Sequence, residues 1–159
     1  MAQVSTTKHP AHAKIWQNVQ PGDFIDGYRV DSTLTPRQAL QVAFDMPAWA
    51  DHLMRLRNLL LKPFGLKTEN FSDQSDTLFP ITYEDDTQII IGADDSHLNF
   101  RISVLRLDHE VHMATWVQCH NSFGRMYLAA VMPFHCLIVR TAMRRIGQTS
   151  MDHLKRRVT

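Results

Sequence analysis

The stretch 78–120, LFPITYEDDTQIIIGADDSHLNFRISVLRLDHEVHMATWVQCH, decides the fold. Apolar and polar residues alternate through it with a period of two, the spacing of strands whose successive side chains point to opposite faces. Four strands can be read, over 78–84, 87–94, 97–107 and 110–120, joined at Asp85-Asp86, Asp95-Ser96 and Asp108-His109. Two-residue links between alternating runs make hairpins, so an antiparallel meander is expected.

The joints fix a register. If Leu107 faces Glu110, then His97 lies opposite His120, Arg101 opposite Trp116 and Phe100 opposite Val117. If Asp95-Ser96 is the turn before, Asp94 faces His97, Ile91 faces Phe100 and Ile89 faces Ile102. One face then gathers Ile89, Ile91, Leu98, Phe100, Ile102, Val104, Val117 and Cys119. The other carries Asp94, His97 and His120 across adjacent strands, with Asn99, Arg101, Trp116 and Gln118 further along. A one-residue slip would turn a strand over, so this polar cluster depends on the turns.

After the meander, Asn121 or Ser122 is placed to cap a helix running through Arg145, with Pro133 removing one internal hydrogen bond. Its apolar run, 126–139, is too short to span a bilayer, and a core helix is expected. Before the meander, the alternation of Phe24, Asp26, Tyr28 and Val30 predicts a first strand. Thr35-Pro36-Arg37-Gln38 has the pattern of a capping box with proline at the first helical position. That helix is expected to end near Met46. A second opens at Pro47, with Trp49, Leu53, Leu56, Leu60 and Phe64 on one face and Gly65 as its stop.

The element order is therefore β-α-α-β-β-β-β-α, an α+β fold. A curved antiparallel sheet, one first strand plus the four-strand meander, packs on a long C-terminal helix. Residues 1–22 show no sustained periodicity and read as a loose arm in which His9 and His12 are solvated side chains rather than metal ligands. Residues 23–147 form the domain, and 148–159 a polar, basic tail.

Composition bounds the function. The 159 residues include 17 Lys+Arg against 16 Asp+Glu, so a general nucleic-acid binder, which wants a strongly basic domain, is not expected. Two cysteines, Cys119 and Cys136, make no disulfide framework and read as small buried hydrophobes. With no apolar signal segment and no membrane span, a cytoplasmic protein is expected. Charge is unevenly placed, since 69–110 holds ten acids and two arginines while 140–159 holds six bases and one acid. No Gly-rich phosphate loop, GxSxG, HExxH or CxxC occurs.

The polar sheet face is the candidate site. Asp94, His97, Asn99, Arg101, Trp116, Gln118 and His120 share it, and Asn121 and Arg125 extend it to the N-terminus of the last helix, where unpaired N–H groups favour anions. It reads as a solvated face with Arg101 stacked on Trp116, as a ligand or anion site, or as an acid–base or metal site of Asp94, His97 and His120. Phe79, Ile81, Tyr83, Ile90 and Trp116 make the same face too apolar to stay wet. A symmetric second copy or the N-terminal arm would cover it.

At 92–101 (GADDSHLNFR), 120–128 (HNSFGRMYL) and Pro133-Phe134-His135, the chain resembles the DUF2867 family. The segments 49–58 (WADHLMRLRN) and 64–68 (FGLKT) are similar to the same family's paired-helix region. The resemblance spans roughly 26–146. It implies a domain similar to the helix-grip architecture of START and Bet v 1-like proteins, in which a sheet wraps a long C-terminal helix and often encloses an apolar pocket. It implies no catalytic residue or cofactor. Relatives fused behind NAD(P)-binding domains are part of the resemblance, and this sequence has no GxGxxG.

Three functions are carried forward. The first is a small-molecule binding domain, its ligand between Leu98, Phe100, Ile102 and Val117 of the sheet and Met126, Met132, Phe134 and Met143 of the helix. The second is an enzyme using Asp94, His97 and His120. The third is a homodimeric structural or interaction module joined through the mixed sheet face.

Overall fold

A computed structural model describes residues 2–45 and 79–158. The helix expected over 47–65 and the polar connection after it lie outside the described residues. In chain order the elements are β1 (Ser5–Thr6), a single 3-10 turn (Lys14–Gln17), β2 (Phe24–Ile25), β3 (Tyr28–Asp31), α1 (Pro36–Phe44), β4 (Ile81–Glu84), β5 (Gln88–Asp94), β6 (Leu98–Leu107), β7 (Glu110–Cys119) and α2 (Ser122–Val158). The fold is α+β. Its seven strands form one antiparallel sheet in the order β1-β3-β7-β6-β5-β4, with β2 also paired to β7.

The β6–β7 hairpin has the expected register: Leu107 faces Glu110, Arg101 faces Trp116 and Phe100 faces Val117. Asp108 takes the positive φ of 53° that so tight a turn needs. The β5–β6 turn falls one residue later than expected. Asp95 N–H bonds Leu98 O at 3.0 Å, so Ser96-His97 forms the turn and Asp94 faces Asn99 instead of His97. Moving the turn by one residue shifts every pair by two, which leaves each side chain on its expected face.

The β4–β5 joint also moves. The Asp85 carboxylate accepts the N–H groups of Thr87 and Gln88 at 2.7 and 2.8 Å, which sets the turn at Asp86-Thr87. An irregularity between Ile81 and Tyr83 then changes the face of the residues before it. Phe79 and Ile81 consequently pack on the helix side, while Tyr83 stays with Ile90 and Trp116.

The first strand is split. Asp26-Gly27 separates β2 from β3, and both halves pair with β7. Gly27 is required there because a Cβ would lie 2.2 Å from Thr7 O, where the N-terminal segment passes and Thr7 N–H bonds Gly27 O at 2.9 Å. This close passage adds β1, which the sequence reading did not contain.

Two layers cover the sheet. On one face α1 and α2 pack over Val30, Ile89, Ile91, Val104, Val111 and Met113. The Thr35–Gln38 capping box forms as expected. On the other face Ala13 and Ile15 are buried against Ile90, Leu105, Ala114 and Trp116, with Trp16 and Val19 packed beside them. Full burial of a side chain such as Ile15 is worth about 2–3 kcal/mol, which offsets the ordering of one or two residues of the segment. The segment read as loose is therefore a packed cover. It occupies the mixed face for which a second copy was the alternative, so that face offers no warrant for a dimer.

Helix α2 is longer than expected. Gly147 does not stop it, and a Cβ there would lie 2.5 Å from Ala2 Cβ and 2.7 Å from Val30 Cγ2. Glycine serves close packing, and the residues read as a basic tail continue the helix to Val158. Val139, Ala142, Met143 and Ile146 bury the helix's second half in the core. In its first half Met126, Phe134 and Leu137 are 65%, 53% and 55% exposed, so the expectation of a core helix fails there. By length and composition α2 could cross a membrane. Only 17% of the apolar stretch that gives it this character is buried, whereas the second half of α2 packs in the core.

Candidate functional site

The expected polar cluster exists as separate small groups. Arg101 Nη1 lies 2.8 Å from Asp94 Oδ1 and donates to the carbonyls of Ala93 and Phe100 at 3.2 and 2.8 Å. The arginine crosses Gly92, where a Cβ would come within 2.8 Å of Arg101 Cδ. Asp94 is thus held by Arg101 and not by His97. Trp116 is directed to Asp23, its indole N–H donating to Oδ2 at 2.9 Å, so its polar edge is anchored to the loop before β2.

His97 and His120 meet through the backbone, with His120 N–H bonded to His97 O at 2.9 Å. Their side chains take different partners. His120 Nε2 lies 3.0 Å from Asn99 Oδ1. Asn121 caps α2, its Oδ1 accepting Gly124 N–H at 2.9 Å, which turns its amide nitrogen to His97 Nδ1 at 2.9 Å. An amide N–H only donates, so His97 Nδ1 is the acceptor and the ring proton is on Nε2. Phe123 packs on this ring at 4.6 Å between centroids. Gln118 is half-buried on β7 and Arg125 exposed on the first turn of α2. The carboxylate–imidazole pair expected from Asp94 and His97 does not form. Among the described residues no three His, Cys, Asp or Glu side chains are placed to hold a metal ion.

A carboxylate–imidazole pair does form elsewhere. Asp26 Oδ2 lies 2.8 Å from His135 Nε2, and its Oδ1 accepts Thr115 N–H at 2.7 Å. The break between β2 and β3 supplies the acid, the middle of α2 supplies the histidine, and both side chains are largely buried. The Phe24 ring stands edge-on to His135 at 6.3 Å. Tyr28 lies next along β3, its hydroxyl pushed up in pKa by burial first and then by a hydrogen bond with Cys136 and the Asp26 charge. Thr115 Oγ1 is buried without a hydrogen-bond partner among the described residues.

The signals for this pair were in the sequence. Asp26 falls in phase with Phe24, Tyr28 and Val30, which places a carboxylate on the apolar side of an alternating strand, and His135 interrupts the most apolar run in the chain. Nothing local joins them, because the contact spans 109 residues. Toward the start of β6, Leu98, Phe100 and Ile102 are half-buried on the helix side, and Val117 is buried beside them. Met126 and Phe134, expected to close this space from α2, are largely exposed.

The opposite face has its own polar groups. His9 Nε2 lies 3.0 Å from Ser103 Oγ, Gln88 Nε2 donates to the same oxygen at 2.7 Å, and Gln88 Oε1 accepts Lys14 N–H at 3.0 Å. Burial, aided by the nearby His112 and His12, lowers the His9 pKa to about 4. His112 is also lowered, by burial that outweighs its bond to Glu110. At the edge of this layer a cleft of about 500 Å³ is lined by His12, Lys14, Trp16, Tyr83, Asp85 and Gln88. Tyr83 OH donates to Asp85 Oδ2 at 2.6 Å, which helps to hold the Asp85 pKa at about 2.

A family model described as "Protein of unknown function (DUF2867)" matches residues 19–142, well over half of the chain, and the chain belongs to that family. No curated protein and no solved structure matches it.

Proposed function

We propose, from the premise that DUF2867 membership carries a family but no activity, that the chain binds a small amphipathic molecule between the sheet and α2. The supporting observation is the Asp26–His135 pair at the end of the half-buried apolar wall formed by Leu98, Phe100 and Ile102. Ligand sites combine such a wall with a few polar groups that fix orientation. Asp26 is locked by Thr115 N–H, and His135 by Asp26, so the polar end is preorganised before any ligand arrives. In this reading the sheet and α2 are the two jaws of a helix-grip architecture.

The test is native mass spectrometry of the chain purified without denaturation, followed by analysis of what denaturation releases. A discrete small molecule is expected, together with saturable fluorescence of anilinonaphthalene sulfonate that weakens in His135→Gln. Finding neither overturns the reading.

The same pair supports an enzyme as a second reading. With Asp26 accepting from Nε2–H, His135 Nδ1 is left as an acceptor, the arrangement of a general base oriented by a carboxylate. The acid–base role thus moves from Asp94, His97 and His120 to Asp26 and His135. If the released molecule is turned over by the wild type, Asp26→Asn should lower the rate with little change in its binding; equal rates remove catalysis.

A further inference from the structure

Two histidines from distant parts of the chain meet beneath the N-terminal cover, His9 from the segment after β1 and His112 from β7. They are 2% and 6% exposed, and their ring centres are 6.4 Å apart. Each ring uses Nε2 on a neighbour, His9 on Ser103 Oγ and His112 on Glu110 Oε2, both at 3.0 Å. Each leaves Nδ1 buried with no hydrogen-bond partner among the described residues.

A metal-ligating histidine is commonly held this way, with one nitrogen donating to a carboxylate or other oxygen so that the other presents a fixed lone pair. The Glu110 carboxylate only accepts, so His112 carries its proton on Nε2 and Nδ1 is bare. Ser103 Oγ accepts from Gln88 and retains a second lone pair for His9 Nε2–H. Burial keeps His9 uncharged at neutral pH, the state that binds metal. The spacing also fits. A ligating nitrogen lies about 2.0–2.1 Å from its metal and about 1.1 Å from its own ring centre, so two rings on opposite sides of one ion have centres about 6.3 Å apart.

We propose that His9 Nδ1 and His112 Nδ1 hold one cuprous ion between them, with Ser103 and Glu110 orienting the two rings. Zinc takes three or four protein ligands, whereas Cu(I), with the same filled shell but a single charge, is satisfied by two nitrogens in line. His12, near both rings, is exposed, so the two buried imidazoles are what this place supplies.

The test is anaerobic titration of the full chain with Cu(I), under ascorbate, against the chelator bicinchoninate at pH 7. The wild type and His12→Gln should each withdraw one equivalent more than His9→Gln or His112→Gln. X-ray absorption of the wild type at one equivalent should show nitrogen neighbours only. A sulfur shell would assign the ion to the free thiols of Cys119 or Cys136 and overturn the proposal. So would no uptake by the wild type, or equal uptake by all four proteins. If a histidine variant fails to fold, the wild-type absorption spectrum decides alone.

Discussion

The two faces of the sheet are sealed by different means. On one, two helices lay aliphatic side chains on Ile89, Ile91, Val104 and Val111. On the other, an irregular segment covers Ile90, Leu105, Ala114 and Trp116 and brings His9 into the interior, where it meets Ser103 and Gln88 of the sheet. The helix side depends chiefly on area and shape, whereas the segment side also depends on keeping a buried histidine neutral. Two equally buried faces of one sheet can therefore differ in stability as conditions change.

The largest effect expected is at Ile91, which is fully buried under the helices. Ile91→Ala should cost about 3–4 kcal/mol in urea unfolding, from lost transfer energy plus a cavity. Ile15→Ala removes an equally buried side chain from the opposite face. It should cost less, about 2 kcal/mol, because a segment without regular structure can relax around the gap. Faster proteolysis confined to the N-terminal residues should accompany it. Equal costs with no local cleavage would erase the distinction between the two faces.

Acid separates the faces next. The folded chain holds His9 neutral down to about pH 4, while the unfolded chain binds that proton near pH 6.5. Stability from this group is complete above pH 6.5 and is lost as pH falls toward 4, by about 3 kcal/mol in all. His112 is shifted the same way, with Glu110 opposing its burial and Arg29 and His12 adding to it. Urea midpoints measured from pH 7 to pH 4 should fall steeply in the wild type and less so in His9→Gln. Parallel curves would show that the segment side is not the acid-sensitive one.

The helix side has one polar anchor of its own, and its removal should matter less. Asp26→Asn keeps an acceptor for Thr115 N–H but loses the charge that faces His135. A cost of about 1–3 kcal/mol is expected at neutral pH. A double-mutant cycle with His135→Gln should show coupling between the two positions. Additive losses would mean that the pair does not tie α2 to the sheet.

What the sequence revealed follows the same division. The β6–β7 register was legible because only the Asp108-His109 turn fits both flanking alternations. The β5–β6 turn was not, since Asp94, Asp95 and Ser96 are all turn-forming residues and either placement leaves the hydrophobic pattern intact. That ambiguity exchanged His97 for Asn99 opposite Asp94, and with it the expected site. The irregularity at Ile81–Tyr83 was invisible because Phe79, Ile81 and Tyr83 are apolar on either face. The N-terminal cover was missed for a different reason: Ala13, Ile15, Trp16 and Val19 follow no period, and only the apolar surplus of the sheet face signalled that something must lie there.

The smallest effect distinguishes regular from irregular cover directly. Helix α1 begins with a reciprocal cap, in which Thr35 Oγ1 accepts Gln38 N–H at 3.2 Å and Gln38 Oε1 accepts Thr35 N–H at 3.0 Å. Thr35→Ala removes one of these acceptors at an exposed position, and about 1 kcal/mol should be lost in urea unfolding. The loss should be the same at pH 7 and pH 5, since no titrating group takes part in the cap. It should also leave proteolysis over residues 13–19 unchanged, because these pack on the face opposite α1. A cap mutation that loosened the N-terminal segment would show that the two faces are coupled through the sheet, and that neither cover acts on its own layer alone.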